Sequence, residues 1–213
     1  MERRLPSALL LLAALLAAPA SAQDAPRTST ELAVPVAAPV AAGPRVALET
    51  SAGRIVLELY PDKAPATVAN FLSYVRAGHY NGTVFHRVVA DFLIQGGAYT
   101  ADMQPKPERA PIRNEANNGL SNLRGTISAA RKFAERDSAR SQFFINTVDN
   151  RQLDYRGDAP PAQTGFCVFG RVIEGMDVVD RIRAVATSRR GPFPGDVPVT
   201  PVLVERAAVL DPP

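Results

Sequence analysis

Between Val84 and Gly97 the chain reads VFHRVVADFLIQGG. Apolar residues dominate, so the stretch predicts buried strand, yet it carries Arg87 and Gln95. An arginine stays charged at physiological pH and offers several rigid donors, while a glutamine offers both donor and acceptor. Neither group fits a core-forming segment without a partner or a task. Strand alternation places Phe85, Arg87 and Val89 on one face and Val84, His86 and Val88 on the other. A tight reversal near Ala90 and Asp91 folds the next strand back, with Leu93 and Gln95 sharing a face. Arg87 and Gln95 then become cross-strand neighbours beside Leu93. The pattern alone leaves another reading open, in which Arg87 is an edge-strand residue reaching solvent.

Other familiar chemistries have no foothold in the sequence. It contains neither a Gly-x-Ser-x-Gly elbow nor a Walker loop. His86 could act as a base, but a histidine inside an apolar strand predicts a structural hydrogen-bonding role. His79, beside a helix end, predicts exposed helix-end chemistry. The two histidines and the single cysteine, Cys167, are too widely spaced for a metal site. No metal and no cofactor is expected. Cys167 lies within the apolar FCVFG and predicts a small buried core residue; a lone thiol forms no internal disulfide.

The elements that must position Arg87 and Gln95 can be read around them. RVALET and RIVLELY alternate as strands joined through Ser51-Ala52-Gly53. APATVANFLSYVRAGHY places Val68, Phe71, Leu72 and Val75 on one helical face. Pro65 suits its first turn and Gly78 its C-terminal cap. Short apolar runs follow: Val84–Val89, Asp91–Gln95, Thr126–Ala130, Gln142–Asn146, Phe166–Val172 and Val199–Val209. A shorter helix, GMDVVDRIR, precedes the last. Many short strands with two helices predict a closed antiparallel barrel or sandwich with helical caps, not a parallel doubly wound sheet.

The formal net charge of +3 and the scatter of the arginines argue against a nucleic-acid footprint. The densest basic run, RIRAVATSRR, predicts a solvated end of the domain. The N-terminal MERRLPSALLLLAALLAAPASA combines Arg3 and Arg4, an apolar core and Ala20-Ser21-Ala22. That is the layout of a cleavable secretory signal peptide over residues 1–22. Its apolar run is shorter than the ~20 residues of a membrane span, so no stable membrane insertion is expected. Residues 23–44, with Pro26, Pro35, Pro39 and Pro44, read as a flexible Ala/Pro-rich linker. The folded domain is expected over 45–210, as a monomer.

TVFHRVVADFLIQGG, GTISAAR, SQFFINT and FCVFGRVIEGMDVV resemble the cyclophilin family of peptidyl-prolyl cis/trans isomerases. The resemblance begins at VALETSAGRIVLELYPDKAPATVANFLSYV and runs to the last strand. PIRNEANNGL and the Ala130-Arg131 step are similar to the exported bacterial (periplasmic) branch. The implied fold is mainly β, an eight-stranded antiparallel closed β-barrel capped by two α-helices. The implied function is acceleration of X–Pro isomerisation, assisting the folding of exported proteins, with proline-containing peptides as partners. The alternative is a non-catalytic proline-peptide-binding module or chaperone, which has no need of Arg87 at its place.

Carried over by the resemblance, Arg87 is the catalytic arginine, with Phe92 and Gln95 beside it. The proline pocket falls on Phe92, Leu93, Phe144, Leu153 and Phe166. Backbone contacts to the peptide fall on Gln95, Ala130, Arg131 and Gln142. Leu93 replaces the methionine of many relatives, Arg131 an asparagine of eukaryotic members, and Phe166 a histidine. Gln152 stands where some members carry an aromatic residue that contacts cyclosporin, which implies weak cyclosporin binding. Of the two adjacent phenylalanines in SQFFINT, Phe143 is assigned to the core and Phe144 to the groove. Gly96-Gly97 is expected to let the chain pass close to a bound peptide.

Overall fold

Two strands, β1 (Arg45–Thr50) and β2 (Gly53–Leu59), pair through the expected turn and bury alternate residues such as Val46, Leu48, Ile55 and Leu57. The computed structural model describes residues 43–210. The expected signal peptide (1–22) and residues 23–42 of the expected linker lie outside the described residues. Helix α1 (Pro65–Arg76) starts at a proline in its first turn, as expected, and buries Val68, Phe71, Leu72 and Val75. Gly78 follows its end with φ 65°, the left-handed conformation that favours glycine. The helix start is capped from a distance: Glu115 accepts from Ala66 N at 3.1 Å and Thr67 N at 2.9 Å.

The remaining elements are β3 (Thr83–Val89), β4 (Leu93–Thr100), β5 (Thr126–Ala129), β6 (Phe143–Asn146), β7 (Val168–Glu174), α2 (Met176–Arg183), β8 (Thr187–Arg190), β9 (Phe193–Pro198) and β10 (Leu203–Leu210). Eight strands close a barrel in the order β1-β10-β3-β4-β6-β5-β7-β2, and every pairing in it is antiparallel. Closure leaves no unpaired strand edge. The interior is filled by Phe85, Val88, Ile94, Ile127, Phe143, Ile145 and Phe169 among others. Phe71 of α1 closes one end, its ring 5.2 Å from Phe169 and 5.6 Å from Phe143.

The structure corrects the face assignment expected for β3. Phe85 pairs with Gly96 while Arg87 pairs with Gln95, so β3 carries one extra residue, His86, in this interval. Such a bulge breaks the two-residue alternation. Phe85 and Val88 therefore both enter the core, while Arg87 remains outside it. Without the bulge, Arg87 and Phe85 would share a face and the guanidinium would point into the barrel.

The tail of RIRAVATSRR is exposed, and it forms β8, which pairs with β9 in a separate hairpin outside the barrel. Gly97, with φ 97°, is required by the barrel itself. A Cβ there would stand 2.8 Å from Ser141 O and 3.0 Å from Tyr80.

Candidate active site

Arg87 and Gln95 are cross-strand partners, as the sequence predicted. A reversal at Ala90-Asp91 joins their strands, closed by Phe92 N donating to Val89 O at 3.0 Å. It sets the half-buried Phe92 ring 5.8 Å from the Arg87 guanidinium carbon. Leu93, two residues before Gln95, shares its outward face and is 3% exposed.

On the other side of β4, β6 pairs Phe144 with Gln95. Phe143 and Ile145 enter the core and Phe144 does not, which is the alternation expected of SQFFINT. The Gln95 amide donates to Gln142 Oε1 at 2.9 Å, and Ala130 N donates to Gln142 O at 3.0 Å. Gln95, Ala130 and Gln142 line, with Glu108, Lys132 and Arg140, a cleft of about 240 Å³ beside the phenylalanines.

Phe166 meets Phe144 edge-on, ring centroids 5.7 Å apart. Its backbone N donates to Leu153 O at 2.9 Å, which brings Leu153 to the same wall. All residues assigned to the site thus fall on one connected surface outside the barrel.

Two arginines flank this apolar pocket, and their environments are opposite. Arg131 stacks over Phe166 with its guanidinium carbon 4.6 Å from the ring centre. Its Nε donates to Gly165 O at 2.9 Å, Nη1 to Lys132 O at 2.9 Å and Phe133 O at 3.0 Å, and Nη2 to Pro161 O at 3.1 Å and Thr164 Oγ1 at 2.9 Å. A guanidinium has five N–H donors, so all are engaged. Burial, with Arg136 nearby, lowers its pKa from the usual arginine value. The side chain braces Phe166 and ties two loops together, and the residue lines the cleft beside Ala130 and Gln142.

Among the described residues the one ion pair of Arg87 is with Asp196, whose Oδ2 lies 3.5 Å from Nε. Among the described residues no hydrogen bond occupies its Nη atoms. The side chain is 40% exposed.

Behind the pocket lies a buried polar network that the sequence reading missed. Asn150 Nδ2 donates to Phe92 O at 2.7 Å and to Asn146 Oδ1 at 2.8 Å. Asn122 donates through N (2.7 Å) and Nδ2 (3.0 Å) to Asp154 Oδ1, and its Nδ2 reaches Phe166 O at 3.3 Å. Ser128 and Asn146 both donate to Asn122 Oδ1. The backbones of Phe92, Leu153 and Phe166 are thereby tied together, because buried amides must find partners. The asparagines in NNGLSN and FFINTVDN were the available signal.

The histidines stand aside from this surface. His86 is 3% exposed and packs against Tyr99 and Phe193 at 4.8 and 5.5 Å. Its Nδ1 has no hydrogen-bond partner, and its buried ring packs within the wall. Burial, then the nearby Arg87, pulls its pKa down to about 4. His79 is only half exposed, and its Nε2 lies 3.0 Å from Gly97 O. Cys167 is buried as expected, and burial pushes its thiol up to about 12.

One barrel wall thus carries Phe92, Leu93, Phe144 and Phe166 beside the Gln95–Gln142 amide pair and the half-exposed Arg87 guanidinium. The chain belongs to the cyclophilin-type peptidyl-prolyl cis-trans isomerases: residues 45–209 match the family described as "Cyclophilin type peptidyl-prolyl cis-trans isomerase/CLD". It is 56% identical over 166 residues to the peptidyl-prolyl cis-trans isomerase cyp18 of Streptomyces antibioticus, covering 78% of this chain and 98% of that protein. It is 50% identical over 166 residues to peptidyl-prolyl cis-trans isomerase B of Escherichia coli, covering 78% and 99%. Its fold is similar to a Cryptosporidium parvum cyclophilin-type isomerase, with a TM-score of 0.64, 23% identity and coverage of 80% of this chain and 99% of that one.

Proposed function

We propose that this isomerase accelerates X–Pro exchange with Arg87 as its catalytic group and the surrounding groove as its peptide site. Amide resonance opposes rotation with a barrier of ~18–20 kcal/mol. In X–Pro bonds the cis form lies only ~0.5–1 kcal/mol above trans, and uncatalysed exchange takes tens to hundreds of seconds. Rotation breaks no covalent bond, so catalysis consists of favouring the twisted state.

As the C–N bond twists, resonance is lost and the proline nitrogen becomes a pyramidal acceptor. An Arg87 Nη–H can donate to it. That bond is stronger in the twisted state than in either planar isomer, which is the condition for lowering the barrier. Phe92, Leu93, Phe144, Leu153 and Phe166 hold the proline ring and keep water from it, which strengthens the donor's effect. Gln95, held by Gln142, orients the peptide carbonyl. Ala130, Arg131 and Gln142 take the peptide backbone.

The observation that carries this reading is the contrast between the two arginines. Arg131 has every donor engaged within the fold, whereas the Nη donors of Arg87 are free above Phe92. A structure of the Cryptosporidium parvum protein described as in the presence of the dipeptide Ala-Pro, similar in fold at a TM-score of 0.63, supports proline as the gripped residue. The charged, apolar and Ala-Ser-Ala segments of residues 1–22 support export to the periplasm by a cleavable signal peptide. The clients would then be folding exported proteins, met by a monomer.

Exchange of an Ala-Pro-Phe-type peptide, followed by NMR, tests the site. Acceleration accompanied by shifts at Arg87, Gln95 and Phe144 supports it; acceleration with shifts confined to another surface rejects it. Recovery of the processed protein in a periplasmic fraction tests export, and retention of the unprocessed chain in the cytoplasm rejects it.

A further inference from the structure

The β8–β9 hairpin stands outside the barrel, and a two-stranded hairpin is marginal on its own. Docking on β3 and β4 holds it. Val84, Met103 and Val197 are buried together, with Tyr99, Phe193 and Leu203 packed against them. Phe193 meets Tyr99 edge-on at 5.0 Å and lies 5.5 Å from the His86 ring. The hairpin therefore grips β3 at the residue next to Arg87.

This hairpin carries Asp196, whose φ of 63° lies in the left-handed region. Aspartate is one of the few non-glycine residues that adopt it at modest cost. From there its carboxylate reaches the Nε edge of Arg87 at 3.5 Å. The Nη edge stays free above Phe92. An arginine on a long unbranched stem has many rotamers, so fixing one edge of its planar head restricts where the other points.

We infer that Asp196 is a positioning residue for Arg87, holding the Nε edge so that the Nη donors face the twisting amide. This rests on Arg87 being the catalytic group. The side chains of the pair are 40% and 50% exposed, so solvent screens it. Exposed pairs of this kind correspond to about a two- to fivefold effect on a rate. The effect falls on kcat, because the donor bond it organises is made in the twisted state.

Two substitutions test this without imposing strain. Asp196→Asn keeps the size and tolerates the same φ, and Asp196→Gly removes the side chain where glycine is at ease. With the neutral Ala-Pro-Phe-type peptide at low salt, both should lower kcat about threefold and leave KM unchanged. Added salt should lower the wild-type kcat toward that of the variants and leave the variants unmoved. In an Arg87→Ala background, Asp196→Asn should have no further effect. Wild-type kcat in both single variants overturns the inference, as does an equal threefold loss when Arg87 is already alanine. Full activity of Arg87→Ala alone is the separate result that overturns the catalytic reading beneath it.

Discussion

Arg131→Ala separates a bracing arginine from a substrate-binding one. The guanidinium closes hydrogen bonds to two loops and stacks 4.6 Å over Phe166. Its loss is not the sum of those bonds. The Lys132 and Phe133 carbonyls belong to exposed residues and regain water. Gly165 O keeps the Asn114 amide at 3.1 Å. Pro161 O keeps the Thr164 hydroxyl at 2.9 Å, so what remains is about 1 kcal/mol for the bond to Thr164 Oγ1, plus about 0.5–1 kcal/mol for the cation–π stack. A loss of about 1.5–2 kcal/mol lowers the melting temperature of a domain of this size by about 3–8 °C. With Phe166 loosened, KM for the peptide should rise several-fold while kcat stays near wild type. Arg131→Lys should rescue little, since a point charge cannot reproduce the planar fork. Calorimetry and peptide kinetics on the same preparations decide the matter. An unchanged melting temperature with kcat reduced tens of fold would refute the bracing role and make Arg131 a direct participant in the reaction.

Two other outcomes follow from named residues. His86 is held neutral in the fold, with its pKa lowered to about 4 from 6.5. Its neutral-state stabilisation is complete above pH 6.5 and is lost as pH falls from there toward 4, by on the order of 3 kcal/mol. Denaturant titrations across that window should show this slope in the wild type and a weaker one in His86→Phe; equal slopes would contradict the assignment. Gln152 is exposed and lends its amide to Asn150 Oδ1 at 3.1 Å. Cyclosporin binding should therefore be weak, and Gln152→Trp should tighten it about tenfold in a calorimetric titration; tight binding by the wild type would count against this reading.

Much of the fold was legible because its signals are local. The α1 face, the alternation of Phe143 and Phe144, and the pairing of Arg87 with Gln95 each follow from a short periodic pattern. The bulge at His86 was not legible, because it is a mismatch in count between two strands and no residue type announces it. The β8–β9 hairpin was missed for another reason. TSRR has no apolar alternation, and its stability comes from the docking of Phe193 and Val197 on distant residues. The same distance hid Asp196 from Arg87 and hid the asparagine network behind Phe92 and Phe166. The bracing role of Arg131 needed the positions of Gly165 and Thr164, which no spacing in RKFAERDS reveals.

The central claim is that Arg87 supplies a donor used chiefly in the twisted state. The direct measurement is kcat of Arg87→Ala for an Ala-Pro-Phe-type peptide, alongside its melting temperature. A hydrogen bond from a charged donor contributes about 1.5–3 kcal/mol, so kcat should fall about 10- to 150-fold. The half-exposed side chain lies outside the core, so the melting temperature should stay close to wild type. A folded Arg87→Ala protein that turns over the peptide at the wild-type rate would contradict the account and leave catalysis to the apolar pocket alone.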